Sequence, residues 1–397
     1  MDSPTKKRLA IIVVITFSVF LRAHWLFNND ASLGGDEISY DSLAKRILTG
    51  QGFTSEAGEP TAWRTPGFPL LLGLIYRATD SDPGLARAVL AMLTGLTSLG
   101  VFWLCFALTK DVSIAFLSGL GWESLLMTNR LAGALMGESS AALIVVCGLI
   151  LVVASSRRDS TILAGAAGLL LGFAALVRGY LIFVPLGPFI WLLLEKKRRG
   201  AAVFLLSFSV VAAGWMTRNL VTLGAFTLST QGPQEMWCGN NAWARGSWPG
   251  EWIKEDSEQR KYLRAKYPEY DGAGEVAKSR IHAREATYEL IHHPAHILSL
   301  APRKIAIFFS PFSTWGNDWV YLALLPFVLI GAVHLWRSQN MRRAFWLIAA
   351  PVACVMTVCL LTFGDPRFRH PVDPMIAILA GAGIVLLARS RRSSGRN

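Results

Sequence analysis

Two adjacent carboxylates, Asp36 and Glu37, lie in the first long polar segment of the chain, directly after Gly34 and Gly35. A carboxylate can accept the proton of an attacking hydroxyl, so this pair suggests a general base. The glycines would end the preceding helix, and Asp36 would open an amphipathic one. The apolar positions of that helix are Ile38, Leu43, Ile47 and Leu48. A carboxylate at a helix N-terminus also interacts favourably with the helix dipole, so simple capping is the alternative role of Asp36.

Further charged residues occur near the ends of apolar segments, where an ion is costly unless it has a partner or a function. Glu138 is the acidic one, and a helix N-terminal charge is its alternative role. The basic ones are Arg64, Arg178, Arg218, Arg303, Lys304, Arg367 and Arg369. Arginine binds phosphate oxygens in pairs, so these residues suggest a site for a phosphate, with Arg218, Arg367 and Arg369 placed there first. The alternative is that each extends to the lipid headgroups.

The histidines and cysteines do not form a convincing metal site. His292 and His296 fall on one helical face with Glu289 nearby, but Pro294 interrupts that helix. Four of the five cysteines lie in apolar segments, and no CxxC pair occurs. We therefore predict neither a metal nor another cofactor.

The composition restricts the class of protein that can hold these groups. The 397 residues include 39 Lys and Arg against 27 Asp and Glu, a formal net charge of +12, yet 52% of them are hydrophobic and only 17% are charged. Soluble domains carry about 25% charged residues. A nucleic-acid-binding protein can be this basic but not this apolar, and 21 Phe and 14 Trp exclude a disordered chain. An integral membrane protein remains.

Apolar segments of the length that crosses a bilayer as a helix, about 20 residues, recur along the chain. The ten candidates are 9–27, 84–109, 112–128, 138–156, 161–177, 180–194, 200–216, 319–336, 344–362 and 372–388. With a cytoplasmic N-terminus, strict alternation places the dense basic clusters inside, as the positive-inside rule expects. These clusters are Lys6/Lys7/Arg8, Lys110, Arg157/Arg158, Lys196 to Arg199, Arg337/Arg342/Arg343 and the tail with Arg389, Arg391, Arg392 and Arg396. We predict a multi-pass plasma (inner) membrane protein with both termini in the cytoplasm.

Two long segments, 28–83 and 217–318, then lie on the outer face, and loops are where sites concentrate. We expect the apolar run 68–76 to lie in the membrane interface, because counting it as a span would break the charge alternation. One or two solvated amphipathic helices are expected in 255–293. The second segment is rich in tryptophan, which suits stacking on a sugar but equally the interfacial aromatic belt. These residues are Trp237, Trp243, Trp248 and Trp252.

Four stretches, in this order, resemble one superfamily of membrane enzymes. They are GDEISYDSLAKRILTGQGF with WRTPGFPLLLGLIY, then Gly137-Glu138 before SSAALIVVCGLIL, then WMTRNLVTLGAFTLSTQGPQEMWCGNN, and last FGDPRFRHPVDP. Together they are similar to the GT-C glycosyltransferases that use polyprenyl-phosphate sugars. That group includes the protein O-mannosyltransferases and the aminoarabinose and galacturonic acid transferases of lipid A.

The resemblance implies an all-α polytopic fold, one domain over 1–397, with about ten transmembrane helices and interfacial helices in the two outer loops. It implies inverting transfer of a hexosyl or pentosyl group from a polyprenyl-phosphate donor to a lipid, glycan or protein hydroxyl of the cell envelope, on the periplasmic face. Asp36 would be the general base, with Glu37 beside it. Substrate binding would fall to Arg64, Glu138, Arg178, Arg218, Asn219, Arg367 and Arg369. The partners would be the donor, the acceptor and the bilayer, with no nucleic acid.

A transporter or flippase of a lipid-linked or polar substrate is the alternative function. Such a protein would show internal repeats and ionisable groups at mid-membrane. No repeat is visible in this sequence, and its charges concentrate at the outer ends, although Glu123 is placed mid-span and leaves a substrate or proton pathway open. A structural subunit would need neither Asp36-Glu37 nor the outer arginines.

Overall fold

The structure, a computed structural model, describes residues 3–28, 32–250, 254–314 and 316–394 and is almost entirely helical. The helices, in chain order, are α1 (Ser3–Asn28), α2 (Asp36–Leu48), α3 (Gly67–Ala78), α4 (Pro83–Thr109), α5 (Val112–Ser124), α6 (Leu126–Ala132), α7 (Gly137–Arg158), α8 (Thr161–Val177), α9 (Leu186–Leu194), α10 (Arg198–Leu223), α11 (Gly232–Cys238), α12 (Glu258–Lys266), α13 (Glu275–His292), α14 (Pro294–Phe308), α15 (Trp319–Arg337), α16 (Arg342–Leu361), α17 (Pro366–Arg369) and α18 (Asp373–Ser394). Two short strands, β1 (Phe312–Ser313) and β2 (Gly316–Asn317), pair in antiparallel register. Trp252 and Arg396, named above, lie outside the described residues.

Seven helices of the described chain are long and apolar enough to cross a membrane. They are the spans Pro4–Phe27, Pro83–Thr109, Gly137–Arg158, Arg198–Leu223, Trp319–Arg337, Arg342–Leu361 and Pro366–Arg391. Each coincides with one of the ten predicted spans. The bundle also exposes large apolar side chains on its outside, which a lipid surround would cover. Examples are Met92, Ile162, Leu206 and Leu329. The chain is a multi-pass membrane protein.

The other three predicted spans are helical but shorter, for local reasons. The 112–128 segment breaks after α5 because Leu125 adopts an extended conformation, and α6 follows. The 161–177 segment is α8, which Ser160 caps by accepting from the backbone N–H of Leu163. The 180–194 segment divides into a 3₁₀ turn, Gly179–Phe183, and the short α9, which begins after Pro185. The run expected in the interface is the separate helix α3.

Small residues allow the membrane helices to approach closely. A Cβ added at Gly383 of α18 would lie 2.0 Å from the carbonyl oxygen of Phe327 in α15, and one added at Gly331 would lie 2.0 Å from that of Leu379. Interfaces of this kind, where packing rather than water drives association, are typical of membrane bundles. The contact fixes α18, and therefore the arginines just before it, against α15.

The two long segments 28–83 and 217–318, called the outer segments here after their predicted side of the membrane, are joined to each other. Glu275, at the start of α13, accepts hydrogen bonds from the hydroxyl of Thr61 (2.5 Å) and the backbone N–H of Ala62 (2.9 Å) in the first segment. It also accepts one from the hydroxyl of Thr230 (2.6 Å) in the second. The second segment has its own small core around Trp237, where α11, α12 and α13 meet. The two helices expected within 255–293 are α12 and α13.

The mid-span charge that left a transport pathway open is paired inside the bundle. Glu123, which is fully buried, forms an ion pair with Arg22 of α1. Arg22 also donates to the backbone carbonyl of Thr128. This contact ties α1 to the α5–α6 break, which is a structural use of the charge.

Candidate active site

A large cavity of about 1030 Å³ lies where the outer segments meet the ends of the membrane helices. Its wall includes the start of α2, the loop before α3, the segment between α6 and α7, the end of α8, the start of α11 and the turn at α17. Of the sequence-predicted site residues, those that line it are Asp36, Glu37, Arg64, Arg178 and Arg367. The chain therefore brings together residues separated by more than 300 positions.

Asp36 is the centre of the charged part of this cavity. Its Oδ1 accepts from Nη2 of Arg64 at 2.6 Å, and its Oδ2 accepts from Nη1 of Arg367 at 3.0 Å. Gly35, with φ of 54°, supplies the left-handed turn that lets α2 begin at Asp36. Burial would raise the pKa of Asp36, but Arg64 and Arg367 outweigh it and hold the pKa well below its usual range. The carboxylate is therefore ionised, and both of its oxygens are bound.

Glu138 forms a second, deeper group with the arginines. It lies in the first turn of α7 with only 1% of its side chain exposed, and it forms an ion pair with Arg178. Its Oε1 lies 3.3 Å from Nε of Arg367, so Arg367 bridges Glu138 and Asp36. Nη1 of Arg178 donates to the hydroxyl of Tyr40 at 2.8 Å. Two carboxylates and three arginines thus form one network at the wall of the cavity.

The close packing of α3 against α8 positions this network. A Cβ at Gly67 would lie 2.5 Å from backbone atoms of Leu176 and Val177, so glycine is needed for the contact. The WRTPG turn is thereby held beside the end of α8, where Arg178 leaves the helix in an extended conformation. Arg367 is fixed in turn because its backbone N–H donates to Oδ1 of Asp365 at 2.8 Å.

Glu37 points to a different set of partners from its neighbour. Its Oε2 accepts from Nη2 of Arg87 at 2.9 Å and from the backbone N–H of Gly34 at 3.2 Å. Its Oε1 accepts from the backbone N–H of Leu135 at 2.7 Å. These contacts tie the start of α2 to α4 and to the segment before α7, which is a positioning role.

Four predicted substrate-binding residues are not among those that line the cavity: Glu138, which lies behind Arg178 and Arg367, and Arg218, Asn219 and Arg369. Arg218 donates to the backbone carbonyls of Thr61 and Phe53, and the amide of Asn219 donates to the backbone carbonyl of Thr227. Arg218 therefore holds the first outer segment in place, and Asn219 holds the turn after α10. Arg369 is buried, bonds to Asp373 at 2.6 Å and lies over a tyrosine ring. Arg303 and Lys304 also lie outside the cavity lining.

Other cavity residues were not among the sequence predictions. Arg87, Arg130, Tyr180, Gln231 and Glu235 all line the wall. No local sequence motif marks Arg87 as a cavity residue, because its position in the wall depends on how α4 packs. Gln231 and Glu235 lie inside the STQGPQEMWCGNN stretch, and their polar character one helical turn apart is the signal that sequence reasoning missed.

The histidines of the second outer segment are used in hydrogen bonds. Nδ1 of His293 lies 2.7 Å from Oε2 of Glu289, and Nε2 of His296 lies 3.1 Å from the backbone carbonyl of Asn241. Within residues 3–28, 32–250, 254–314 and 316–394 there is no group of three or more His, Cys, Asp or Glu side chains that could hold a metal ion.

This arrangement can bind a phosphate beside a carboxylate. The guanidinium groups of Arg64 and Arg367 meet in the cavity and supply preorganised donors for phosphate oxygens. A carboxylate lies directly between them, in position to accept a proton from a hydroxyl that approaches the same point.

Comparison with solved structures shows the GT-C fold that the motifs predicted. The chain superposes on the apo form of the oligosaccharyltransferase of Archaeoglobus fulgidus with a TM-score of 0.59 and 14% identity, covering 98% of this chain and 52% of that one. It also superposes on the complex of the oligosaccharyltransferase AglB from the same organism with an inhibitory peptide and a dolichol-phosphate, with a TM-score of 0.57, 14% identity and the same coverage. The chain thus spans about half the length of those proteins.

A further similar structure is ArnT from Cupriavidus metallidurans in the apo state, with a TM-score of 0.46 and 14% identity over 94% of this chain and 76% of that one. No protein-family model matches the chain, and no curated protein sequence matches it. The similarity to the oligosaccharyltransferase therefore establishes the fold.

Proposed function

We propose that this protein is an inverting glycosyltransferase that moves a hexosyl or pentosyl group from a polyprenyl-phosphate donor to a hydroxyl of an envelope lipid, glycan or protein. The observation that carries the proposal is the convergence of Arg64 and Arg367 on Asp36 inside one large cavity. The fold supports it, because a structure with the same fold is that of a protein in complex with a dolichol-phosphate.

The reaction is one displacement in which the acceptor oxygen attacks the anomeric carbon opposite the lipid phosphate. The bond from that carbon to the phosphate oxygen breaks, its electron pair stays on the phosphate, and the acceptor proton passes to Asp36. Arg64 and Arg367 stabilise the negative charge that develops on the phosphate. Arg178 holds Glu138, and through it Arg367, in place.

The pKa of Asp36 is low before the donor binds, when both arginines pair with its carboxylate. A phosphate that enters competes with Asp36 for the same two guanidinium groups. Once the arginines are shared with the phosphate, their pull on Asp36 weakens and its pKa rises, which makes it a better base. Donor binding before acceptor attack follows from this competition.

The orientation belongs to the same proposal. With the basic clusters on the cytoplasmic side, both termini are cytoplasmic, segments 28–83 and 217–318 face the periplasm, and the single domain presents its cavity on the outer face. The cell envelope then supplies the acceptor, and the inner membrane supplies the donor.

The substitution Asp36→Asn in the full chain tests the proposal, with sugar transfer measured in membranes. We expect a loss of about 10²–10⁴-fold in rate, which is the contribution of a general base, with binding of undecaprenyl phosphate retained. Asp271→Asn is the matched control, because Asp271 is an exposed carboxylate of the second outer segment that pairs with Arg264. Undiminished transfer by a folded Asp36→Asn protein would remove Asp36 as the base.

A mass spectrum of envelope lipids and glycans from cells with and without the protein identifies the product. A glycosylated species that disappears with the protein names both the sugar and the acceptor. An unchanged envelope profile in cells that express the folded protein under the tested conditions would contradict an envelope acceptor.

A further inference from the structure

The cavity wall carries a further carboxylate that the network around Asp36 does not use. Glu235 lies in α11 of the second outer segment, is half-buried and lines the cavity. In the part of the chain that the structure describes, no side chain donates a hydrogen bond to its carboxylate and no cation pairs with it. Asp36, in contrast, has both oxygens bound.

The backbone of α11 places Glu235 one helical turn from Gln231, which contacts Arg64 of the arginine pair. Its N–H donates to the carbonyl of Gln231 at 3.1 Å, so the two side chains lie one helical turn apart on the same face. Side chains at that spacing are separated by about 5–6 Å. Oε1 of Gln231 lies 3.4 Å from Nη1 of Arg64, which itself binds Asp36. Glu235 is therefore about one turn of helix beyond the point where a phosphate would bind.

The electrostatic surroundings of the two carboxylates are different. Burial raises the pKa of Glu235 to about 7, although Arg64, Arg367 and Arg178 pull it down. The same arginines hold the pKa of Asp36 well below its usual range. Carboxylates whose environments separate their pKa values in this way usually have separate roles. A half-buried carboxylate without a partner is costly, and a ligand that donates to it removes that cost.

We propose that Glu235 binds hydroxyl groups of the sugar carried by the donor and so selects which sugar is transferred. This inference rests on the proposed function. With the phosphate on Arg64 and Arg367 and the anomeric carbon beside Asp36, the rest of the sugar ring extends along the cavity toward α11. An ionised carboxylate accepts hydrogen bonds from two neighbouring hydroxyls through its two oxygens, whereas the uncharged Gln side chain has one acceptor oxygen and an amide donor. Trp248, also on the cavity wall, offers an apolar ring surface at the same end.

The experiment compares the binding of bare and glycosylated lipid phosphate by the full chain in detergent. The probes are undecaprenyl phosphate and undecaprenyl phosphate carrying glucose, mannose, galactose or arabinose, and the measurement is calorimetric affinity. In the wild type, at least one sugar is expected to increase affinity by about tenfold or more over the bare lipid, the value of hydrogen bonds to a charged group. Glu235→Gln is expected to abolish that increment without weakening the binding of bare undecaprenyl phosphate.

Glu258→Gln is the matched control, because Glu258 is an exposed carboxylate of the same outer segment that pairs with Lys261. It is expected to keep the full increment. The increment in the wild type is also expected to grow as the pH rises through about 7 and Glu235 ionises, and Glu235→Gln is expected to show no such dependence.

Each other outcome decides against one of the two proposals. If the wild type does not bind bare undecaprenyl phosphate, the proposed function fails. If it binds the bare lipid and Glu235→Gln keeps the sugar increment, or if none of the four sugars adds affinity, Glu235 does not select the donor sugar. If Glu235→Gln binds every probe normally and loses only kcat, Glu235 is the proton acceptor and the selective role is wrong.

Discussion

Replacing Glu138 with glutamine is expected to lower the stability of the protein and to strengthen its binding of a lipid phosphate. The carboxylate is 1% exposed, forms an ion pair with Arg178 and lies 3.3 Å from Nε of Arg367. Glutamine is similar in size but cannot compensate the charge of either arginine. The two arginines would remain in a buried place with only Asp36 to balance them.

The magnitude follows from the geometry. Two unit charges 3.3 Å apart interact by about 5 kcal/mol at an effective dielectric constant of about 20. Desolvation offsets part of this, and removal of one partner of a buried ion pair costs about 3–5 kcal/mol in measured cases. We expect a loss near the lower end of that range, because Asp36 and the hydroxyl of Tyr40 remain as partners.

The same change removes a negative charge from the neighbourhood of the phosphate. Repulsion between Glu138 and a bound phosphate disappears. The Nε–H of Arg367, which faces Glu138, also becomes available to the phosphate. A gain of about 1.4 kcal/mol, or tenfold in affinity, is the expected minimum. Stability and affinity therefore move in opposite directions, which distinguishes this mechanism from general damage to the fold.

Thermal unfolding in detergent, followed by tryptophan fluorescence, measures the first effect, and titration with undecaprenyl phosphate measures the second. Glu195→Gln is the control: its ion pair with Arg343 is 3.0 Å long but 61% of the arginine side chain is exposed, so a loss below about 1 kcal/mol is expected. A Glu138→Gln protein with wild-type stability, or one with weaker phosphate binding, would refute the reasoning.

Three further predictions concern the packing and charge around the cavity. Gly67→Ala is expected to lower the free energy of unfolding by about 1–3 kcal/mol through overpacking, because the new carbon would lie 2.5 Å from the backbone of α8. Gly73→Ala is the control and is expected to be tolerated, because its new carbon would lie 3.7 Å from the nearest atom. Equal melting temperatures for the two variants would argue against the overpacking. Glu275→Gln is expected to speed trypsin cleavage of the second outer segment, whereas Glu258→Gln is not, and equal cleavage rates would show that Glu275 does not join the loops. Because the pKa of Asp36 is held below its usual value of 3.8, its ionised form stabilises the fold above that pH, and this contribution is lost as the pH falls below it. Melting temperatures of Asp36→Asn, measured as a function of pH, should lack this loss at acid pH. A loss at acid pH equal to that of the wild type would contradict the ionised state of Asp36 in the folded protein.

Hydropathy predicted the helical membrane fold because it depends on local composition. Each of the seven long spans begins or ends within a few residues of its predicted limits. The three shorter helices were less predictable, since they depend on backbone geometry at particular residues. Leu125, for example, is an ordinary apolar residue that ends α5 because it adopts an extended conformation.

The candidate site was predictable where a short motif contains both the residue and its surroundings. Asp36, Arg64 and Arg367 belong to such motifs, and the structure brings them together. Arg218 was expected in the same place, but it braces the first outer segment instead, because α10 directs it toward the carbonyls of Thr61 and Phe53. The side on which an arginine leaves a helix depends on packing that the sequence alone does not reveal.

The pairing of Asp36 with Arg367 has a consequence for biosynthesis. The two residues are 331 positions apart, so a ribosome that adds about 5–20 residues per second needs roughly 20–60 s to make the second after the first. Throughout that interval Arg64, only 28 positions later, is the partner that can neutralise Asp36. The charged pocket is therefore completed only when the last part of the chain is made, and a chain stalled before that point would carry Asp36 and Arg64 without Arg367.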